Sequence, residues 1–120
     1  MSDSTQIIGN EGESRASTHL ISLGFKIRER NWRYGRDEID IIAENEDFII
    51  FVEVKTRKSD AYGKPETFVD RKKQRFMVRA ANNYITQNNI EKEARFDIVS
   101  VTLNKQDAVE HIPDAFYPLL

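Results

Sequence analysis

Two apolar runs that each carry acidic residues place the strongest constraint on this chain. Residues 38–43 read Glu-Ile-Asp-Ile-Ile-Ala, and residues 48–55 read Phe-Ile-Ile-Phe-Val-Glu-Val-Lys. Short runs rich in β-branched and aromatic residues, separated by a brief polar gap, predict two antiparallel strands joined by a turn around residues 46–47. In the resulting register, Asp40 lies opposite Glu53, so we expect their side chains to share one face of the sheet.

Facing carboxylates of this kind are about 5 Å apart and repel each other unless a cation neutralises them. Mg²⁺ and Mn²⁺ prefer such oxygen ligands. We therefore predict Asp40 and Glu53 as metal ligands, with the Val54 carbonyl as a third. Lys55 shares the Glu53 face because side chains alternate along a strand. If the metal site hydrolyses a phosphodiester, we expect Lys55 to position the water molecule that attacks the phosphate. The structural alternative is an ordinary ion pair between Glu53 and Lys55.

Length and composition narrow the class of protein. A chain of 120 residues is large enough for one hydrophobic core, so we expect one domain over residues 1–120. The sequence contains no cysteine, which excludes disulfides and thiolate zinc sites. Its first residues lack the features of a signal peptide, and no stretch is apolar enough to span a bilayer. We expect a cytoplasmic protein that makes no membrane contact.

Positive charge is concentrated around the acidic strands, although the net charge of the chain is −2. Residues 26–36 and 55–79 hold fourteen of the eighteen lysines and arginines. Basic residues that flank an acidic site are typical of a phosphate-binding face, whereas the alternative is a pair of solvated surfaces. The predicted nucleic-acid-binding residues are Arg33, Arg36, Arg57, Lys58, Arg71, Lys72, Lys73 and Arg75.

Hydrophobic periodicity predicts the order helix, three strands, helix, strand, with a short fifth strand at the end. Asn10 followed by Glu13 is typical of a helix start, so the first helix is expected over residues 11–23. The other predictions are strands at 25–31, 38–43, 48–55, 95–103 and 108–112, loops at 33–36 and 56–67, and a helix between Val69 and Ile85. A helix between the third and fourth strands predicts a crossover, hence a three-layer α/β/α fold around a central mixed β-sheet.

Other polar and aromatic residues allow two interpretations. Asp97 could close a metal site, but orienting an arginine or a turn is the favoured role. Trp32 and Tyr34 could stack on unpaired bases, whereas packing beside the strand is favoured. His19 and His111 are far apart in the sequence and are not predicted to act as a metal-binding pair.

Several segments together resemble the YraN-like family of small bacterial proteins. They are Gly-Asn-Glu-Gly-Glu at 9–13, Asn-Trp-Arg at 31–33 before Glu-Ile-Asp at 38–40, Phe-Val-Glu-Val-Lys-Thr-Arg at 51–57, Arg-Phe-Asp at 95–97, and His-Ile-Pro-Asp-Ala-Phe at 111–116. That family is similar to the PD-(D/E)XK superfamily and, within it, to archaeal Holliday-junction resolvases. The resemblance covers nearly the whole chain and implies a restriction-endonuclease-like fold.

The same resemblance assigns roles to individual residues. It implies that Asp40 and Glu53 are the two acids of the superfamily motif and that Lys55 is its lysine. Glu13 matches the acid of the first helix that completes the metal site in resolvase-like members, although a capping role is the alternative. Ile39 stands where the superfamily name has proline, a difference common among resolvase-like proteins, and Asp37 stands where many relatives carry glycine.

We therefore expect a metal-dependent endonuclease that acts on DNA, branched or otherwise structured, with Mg²⁺ or Mn²⁺ as its cofactor. A homodimer is expected because two cuts in opposed strands require two sites. One alternative is a nucleic-acid-binding module without catalysis. Another is a protein-interaction domain that uses the apolar C-terminal residues 116–120.

Overall fold

The computed structural model describes residues 2–58, 68–104 and 108–117, with side chains from Ile7 onwards. Its elements are α1 (Ser2–Ser22), β1 (Lys26–Tyr34), β2 (Asp37–Glu44), β3 (Phe48–Arg57), α2 (Arg71–Gln87), β4 (Glu93–Thr102) and β5 (Val109–Ile112). The strands form one sheet in the order β1-β2-β3-β4-β5. Among the described strands, only β3 and β4 pair in parallel, because α2 carries the chain across the sheet between them.

The two helices cover opposite faces of the sheet. Ala16 and Leu20 of α1 belong to a core cluster that includes Ile41, Ile50, Val52, Val99 and Val101. On the other face, Met77, Ala80 and Tyr84 of α2 pack with Ile42, Ile49, Phe51, Phe96 and Ile98. Residues that alternate along β3 and β4 thus fill two separate cores, as expected for central strands. The predicted α/β/α fold with a mixed central sheet is confirmed.

The first helix is longer than the sequence predicted, because α1 begins at Ser2 and not at residue 11. Asn10 and Glu13 lie inside the helix, so the capping interpretation of both residues is wrong. No proline interrupts the N-terminal residues, and adding turns to an existing helix costs little. The other end is as predicted: Gly24 has a φ of 96° and the Phe25 N–H donates to the Leu20 carbonyl at 3.0 Å, a Schellman ending.

Gly12 lets α1 lie directly against β3. A side-chain Cβ at this position would overlap the Thr56 side chain. The close approach requires glycine and brings the next residue, Glu13, to the sheet, where only 14% of its side chain is exposed.

Two loops predicted from the sequence are partly strand. Arg33 lies in β1, where it pairs with Glu38 of β2. The turn between these two strands comprises only Gly35 and Arg36. Gly35 has a φ of 66°, a conformation that favours glycine in two-residue hairpins. Arg57 lies at the end of β3 because pairing with Thr102 extends that strand past residue 55. The short fifth strand is confirmed.

The β2–β3 hairpin has the predicted register over Ile41–Glu44, but its ladder ends at the pair Ile41 and Val52. Ile39 and Ile42 both face α2, whereas Ile41 faces α1. Residues three apart on a regular strand face opposite ways. The alternation of side chains therefore changes at Asp40, where β2 separates from β3. The prediction that Asp40 and Glu53 form a ladder pair is wrong.

The C-terminal segment packs on the core as far as it is described. Phe116 is 8% exposed and stacks on Phe96 with ring centroids 5.1 Å apart. This removes the main motivation for a protein-interaction tail, although Leu119 and Leu120 lie outside the described residues. Neither α1 nor α2 is long and apolar enough to cross a bilayer.

Candidate functional site

Asp40 lies at the point where β2 separates from β3. Its Oδ2 accepts a hydrogen bond from the Val54 N–H at 2.8 Å, and its carboxylate contacts that of Glu53. The carboxylate thus takes the place of a backbone carbonyl that a regular ladder would supply. The structure brings Asp40, Glu53 and Val54 together as predicted, by a side-chain bond to the backbone and not by facing ladder positions. The role of the Val54 carbonyl as a ligand stays a prediction.

The Asp40 carboxylate is held in an unfavourable environment. Burial and the neighbouring Glu53 charge raise its pKa to about 7, against the opposing effects of the Val54 N–H and the Lys73 ammonium. Burial disfavours a charged group, and a second carboxylate adds repulsion. A cation between the two acids would stabilise the charged form of Asp40 against both effects.

Glu13 is a third acid beside this pair. Arg30 Nη2 lies 3.7 Å from Glu13 Oε1, yet this buried oxygen accepts no hydrogen bond from the described residues. Burial, followed by the Asp40 charge, raises the Glu13 pKa. A buried oxygen without a donor needs a partner. The capping role of Glu13 is excluded, and its role near a metal stays a prediction.

Lys73 reaches the same acids from α2. Its Nζ lies 3.8 Å from Glu53 Oε1, 3.3 Å from Asp37 Oδ1 and 3.4 Å from the Glu38 carbonyl oxygen. The sequence placed Lys73 only in a phosphate-binding helix start. The sequence did carry a signal for this position. Asp70 is a typical N-cap residue, and in the structure it accepts a hydrogen bond from the Lys73 N–H at 2.8 Å. Helical side chains lean towards the N-terminus of their helix, which is the direction in which Lys73 reaches.

Asp37, which departs from the glycine of many relatives, faces this lysine. Burial raises the Asp37 pKa, but the Glu38 N–H and the Lys73 charge outweigh it and hold the pKa below its usual value. Asp37 is thus a neutralised acid at the rim of the cluster, in contrast to Asp40.

Lys55 follows Glu53 by two residues on β3. Since Ile49 and Phe51 face α2, alternation puts Glu53 and Lys55 on that same face. Lys55 is partly buried and pairs with Ser100 in the ladder to β4. The predicted shared face agrees with this strand geometry, whereas the catalytic role of Lys55 stays a prediction.

The other predicted basic residues flank the acids in two groups. Arg33 and Arg36 belong to the β1–β2 hairpin, where Arg33 forms an exposed ion pair with Glu38 at 3.3 Å. The second group comprises the end of β3 and the start of α2: Arg57, Lys58, Arg71, Lys72 and Arg75, of which all but Arg57 are exposed. Nucleic-acid contact by either group stays a prediction.

The donor set fits a hard divalent cation that also binds water and phosphate. Within residues 2–58, 68–104 and 108–117, no three acidic or histidine side chains are arranged to hold one ion. Mg²⁺ is commonly bound by one or two carboxylates together with waters and substrate phosphates. Asp40 and Glu53 meet that requirement, and their mutual repulsion gives a physical reason for a cation.

A second polar cluster, whose histidine members the sequence did not predict, lies under α1. The fully buried Asp97 accepts from Arg95 Nε at 3.0 Å and Nη2 at 2.9 Å, and from the Asp114 N–H at 3.0 Å. His111 Nε2 donates to Asp97 at 2.8 Å, and His19 Nε2 lies 3.1 Å from His111 Nδ1. The predicted orienting role of Asp97 is confirmed. His19 and His111 meet because α1 packs against β5, a contact that their separation in the sequence did not predict.

The aromatic residues of β1 have the structural role that was favoured. Trp32 stacks on Tyr34 with centroids 6.0 Å apart and meets the Tyr84 ring edge-on at 5.1 Å. Both β1 rings pack against the core under α2.

Comparisons with known proteins agree with the resemblance seen in the sequence. Residues 12–101 match the model of "Uncharacterised protein family UPF0102". The chain is 46% identical over 113 residues to a UPF0102 protein of Parabacteroides distasonis, covering 92% of each chain. It is 44% identical over 118 residues to one of Geobacter metallireducens, covering 97% of each. A third, of Phocaeicola vulgatus, is 41% identical over 111 residues and 92% of each chain.

Proposed function

Since the chain belongs to UPF0102, a family of uncharacterised proteins, we propose from its geometry that it is a metal-dependent endonuclease that hydrolyses phosphodiester bonds in DNA. The observation that carries the proposal is the partly buried Asp40 carboxylate, held against Glu53 with its pKa raised to about 7. Strongly perturbed acids beside a cationic surface are typical of functional sites. The YraN-like resemblance adds branched or structured DNA as the substrate class.

Each residue of the site has a distinct task in this proposal. Asp40 and Glu53 would hold Mg²⁺ or Mn²⁺, and Glu13, whose pKa is raised by burial and by the Asp40 charge, would add negative charge beside them from α1. The bound ion provides positive charge at the attacked phosphate and lowers the pKa of the attacking water. The Val54 N–H fixes the orientation of Asp40 Oδ2.

The two lysines act on the phosphate and the water. Lys55 positions the attacking water from the Glu53 face of β3. Lys73, whose ammonium also lies 5.0 Å from the Phe76 ring centroid, neutralises charge that develops on the phosphate. An ammonium is suited to this task because it is a compact point charge with several donors.

A cleavage assay tests the proposal. Fluorescent single-stranded, duplex, flapped and four-way-junction DNA, with RNA counterparts, is incubated with Mg²⁺, Mn²⁺ or EDTA. We expect cleavage only with a divalent ion, and a loss of roughly 10³-fold or more in the Asp40→Asn and Glu53→Gln proteins because charge stabilisation is the largest catalytic contribution. Glu46→Gln, an exposed acid in the turn of the same hairpin, is the matched control and should cleave like wild type. Undiminished cleavage by Glu53→Gln would remove the assignment.

A non-catalytic nucleic-acid-binding module is the second candidate. It is favoured by the position of Lys73, which already places a positive charge between Asp37 and Glu53. This candidate predicts salt-dependent binding of the same substrates, with no product under either ion. A homodimer remains part of the proposal, and light scattering of the purified protein tests it.

A further inference from the structure

The outer face of α2 carries an unusual row of like charges. The helix contains five basic and no acidic residues. Arg71, Arg75 and Arg79 recur every four residues, which stacks them on one face at intervals of about 6 Å along the helix. Like charges at this spacing destabilise a helix, so a bound anion would relieve the repulsion.

These three arginines are available to a ligand. All are exposed, and none of their guanidinium groups has an ion pair or hydrogen bond among residues 2–58, 68–104 and 108–117. Lys73 on the same helix differs because its ammonium is engaged with Glu53 and Asp37. The row is therefore separate from the carboxylate site, although it begins two residues away from Lys73.

The arginine row lines a groove of about 500 Å³, whose other lining residues are Gln74, Val78 and Tyr117. Tyr117 is 67% exposed, and its hydroxyl donates to Asp114 Oδ2 at 3.2 Å. A large aromatic residue left in water beside three arginines that have no partner among the described residues offers both charge and a stacking surface. The volume is in the range of small-ligand pockets, and a base can stack on an exposed ring only where it is not paired in a duplex.

We propose that this groove binds an unpaired nucleic-acid strand, with phosphates on Arg71, Arg75 and Arg79 and a base stacked on Tyr117. Cationic grooves with aromatic stacking platforms are the general means of binding single strands. The proposal deepens the proposed function, on which its ligand class rests. It adds that the substrate has a single-stranded segment next to the cut, since a strand leaving Lys73 would run along α2.

Fluorescence anisotropy with a fluorescein-labelled dT12 strand in EDTA tests the groove without the metal site. Three phosphate contacts predict a slope of log K against log salt of about −2, and loss of one contact lowers its magnitude by about 0.7. We expect Arg75→Gln and Arg79→Gln each to weaken binding about tenfold. Tyr117→Ala should weaken it roughly 5- to 100-fold, whereas Tyr117→Phe keeps the ring and stays within twofold of wild type.

Lys26→Gln is the matched control because Lys26 is an exposed cation on β1, outside the groove. An equal loss in Lys26→Gln, or equally tight binding of a 12-base-pair duplex that ignores Tyr117→Ala, would overturn the inference. Binding of polyglutamate in place of dT12, sensitive to Arg79→Gln, would identify the groove as a docking site for an acidic protein and would also overturn it.

The two proposals fail in different ways. If dT12 binds as expected but no DNA is cut with Mg²⁺ or Mn²⁺, only the nuclease proposal fails. If cleavage occurs and Arg79→Gln and Tyr117→Ala cut substrates with and without a single-stranded arm as well as wild type does, only the groove inference fails.

Discussion

Asp40 and Asp97 are two aspartates held in the same sheet in opposite electrostatic surroundings. Asp97 has no exposed surface; burial raises its pKa, but bonds from His111, Arg95 and the Asp114 N–H outweigh this and hold the pKa below its usual value. Asp40 has one backbone donor and two acidic neighbours, and its pKa is raised to about 7. Burial raises the pKa of both aspartates, so their neighbouring groups determine whether the pKa ends above or below its usual value.

The difference separates an acid with a structural role from one that we propose to be functional. Arg95, which also lies over the Phe48 ring at 4.8 Å, gives Asp97 a complete set of donors, and a satisfied buried pair holds its elements in place. The Asp40 carboxylate lies against a second acid, and the Val54 N–H and the Lys73 charge do not offset that repulsion and the effect of burial on its pKa. Such a site gains most from a cation that arrives after folding.

The largest expected difference is in the free energy of unfolding of two matched variants. Asp97→Asn removes the charge that pairs with Arg95, and leaving a buried charge uncompensated costs about 3–5 kcal/mol. Asp40→Asn removes a repulsion and retains an acceptor for the Val54 N–H, so its stability at pH 8 should equal or exceed that of wild type. Urea unfolding measures both. Equal destabilisation by the two substitutions would show that Asp40, too, is a structural acid.

The pH dependence of stability sharpens the comparison. Because the Asp40 pKa is about 7 in the folded protein and 3.8 as its ordinary value, the folded state binds the proton more tightly. The contribution of Asp40 to the free energy of unfolding therefore falls as pH rises from about 4 to 7, by at most about 4 kcal/mol. Asp97 has a lowered pKa, so its contribution is present above pH 4 and is lost in more acidic solution.

Urea unfolding of wild type and Asp40→Asn between pH 4 and 8 isolates this contribution. The stability of the variant relative to wild type should grow with pH across that range, because only wild type acquires the buried charge. A constant difference between the two proteins would contradict the raised pKa of Asp40.

Divalent ions should act on one acid and not the other. Mg²⁺ or Mn²⁺ at 100 times its dissociation constant should stabilise wild type by about 2.7 kcal/mol. Asp40→Asn should lose this effect, whereas Glu46→Gln should keep it, and thermal unfolding with and without EDTA measures both. Stabilisation that persists in Asp40→Asn would place the ion elsewhere.

The sequence predicted the layers and the sheet, because strand alternation is a local property. It also predicted that Asp40 meets Glu53, but from a ladder register that ends at Ile41 and Val52. It could not predict the change of alternation at Asp40, which depends on how Ile39 packs under α2. The true start of α1 was hidden by the Asn10–Glu13 pattern, which is typical of a cap but also occurs inside a helix. The His19–His111 contact joins residues 92 positions apart, so only the packing of α1 on β5 reveals it.

The smallest expected effect concerns this histidine pair, at the edge of the Asp97 cluster. His111 Nε2 donates to Asp97, and His19 Nε2 and His111 Nδ1 lie 3.1 Å apart and share one hydrogen bond. Burial and the His111 charge lower the His19 pKa below 6.5, so its contribution to stability is present above pH 6.5 and is lost as pH falls.

His19→Ala should therefore cost about 1 kcal/mol at pH 8, the value of one net hydrogen bond, and less at pH 5. This pH dependence is opposite in sign to that of Asp40, so the two substitutions should shift the stability profile in opposite directions between pH 5 and 7. Thr18→Ala, a matched change at an exposed position of α1, controls for helix propensity. Urea unfolding of wild type, His19→Ala and Thr18→Ala measures the difference. A larger cost at pH 5 than at pH 8 would mean that protonated His19 is bound by the Asp97 cluster, which would then resemble the Asp40 site in attracting a cation.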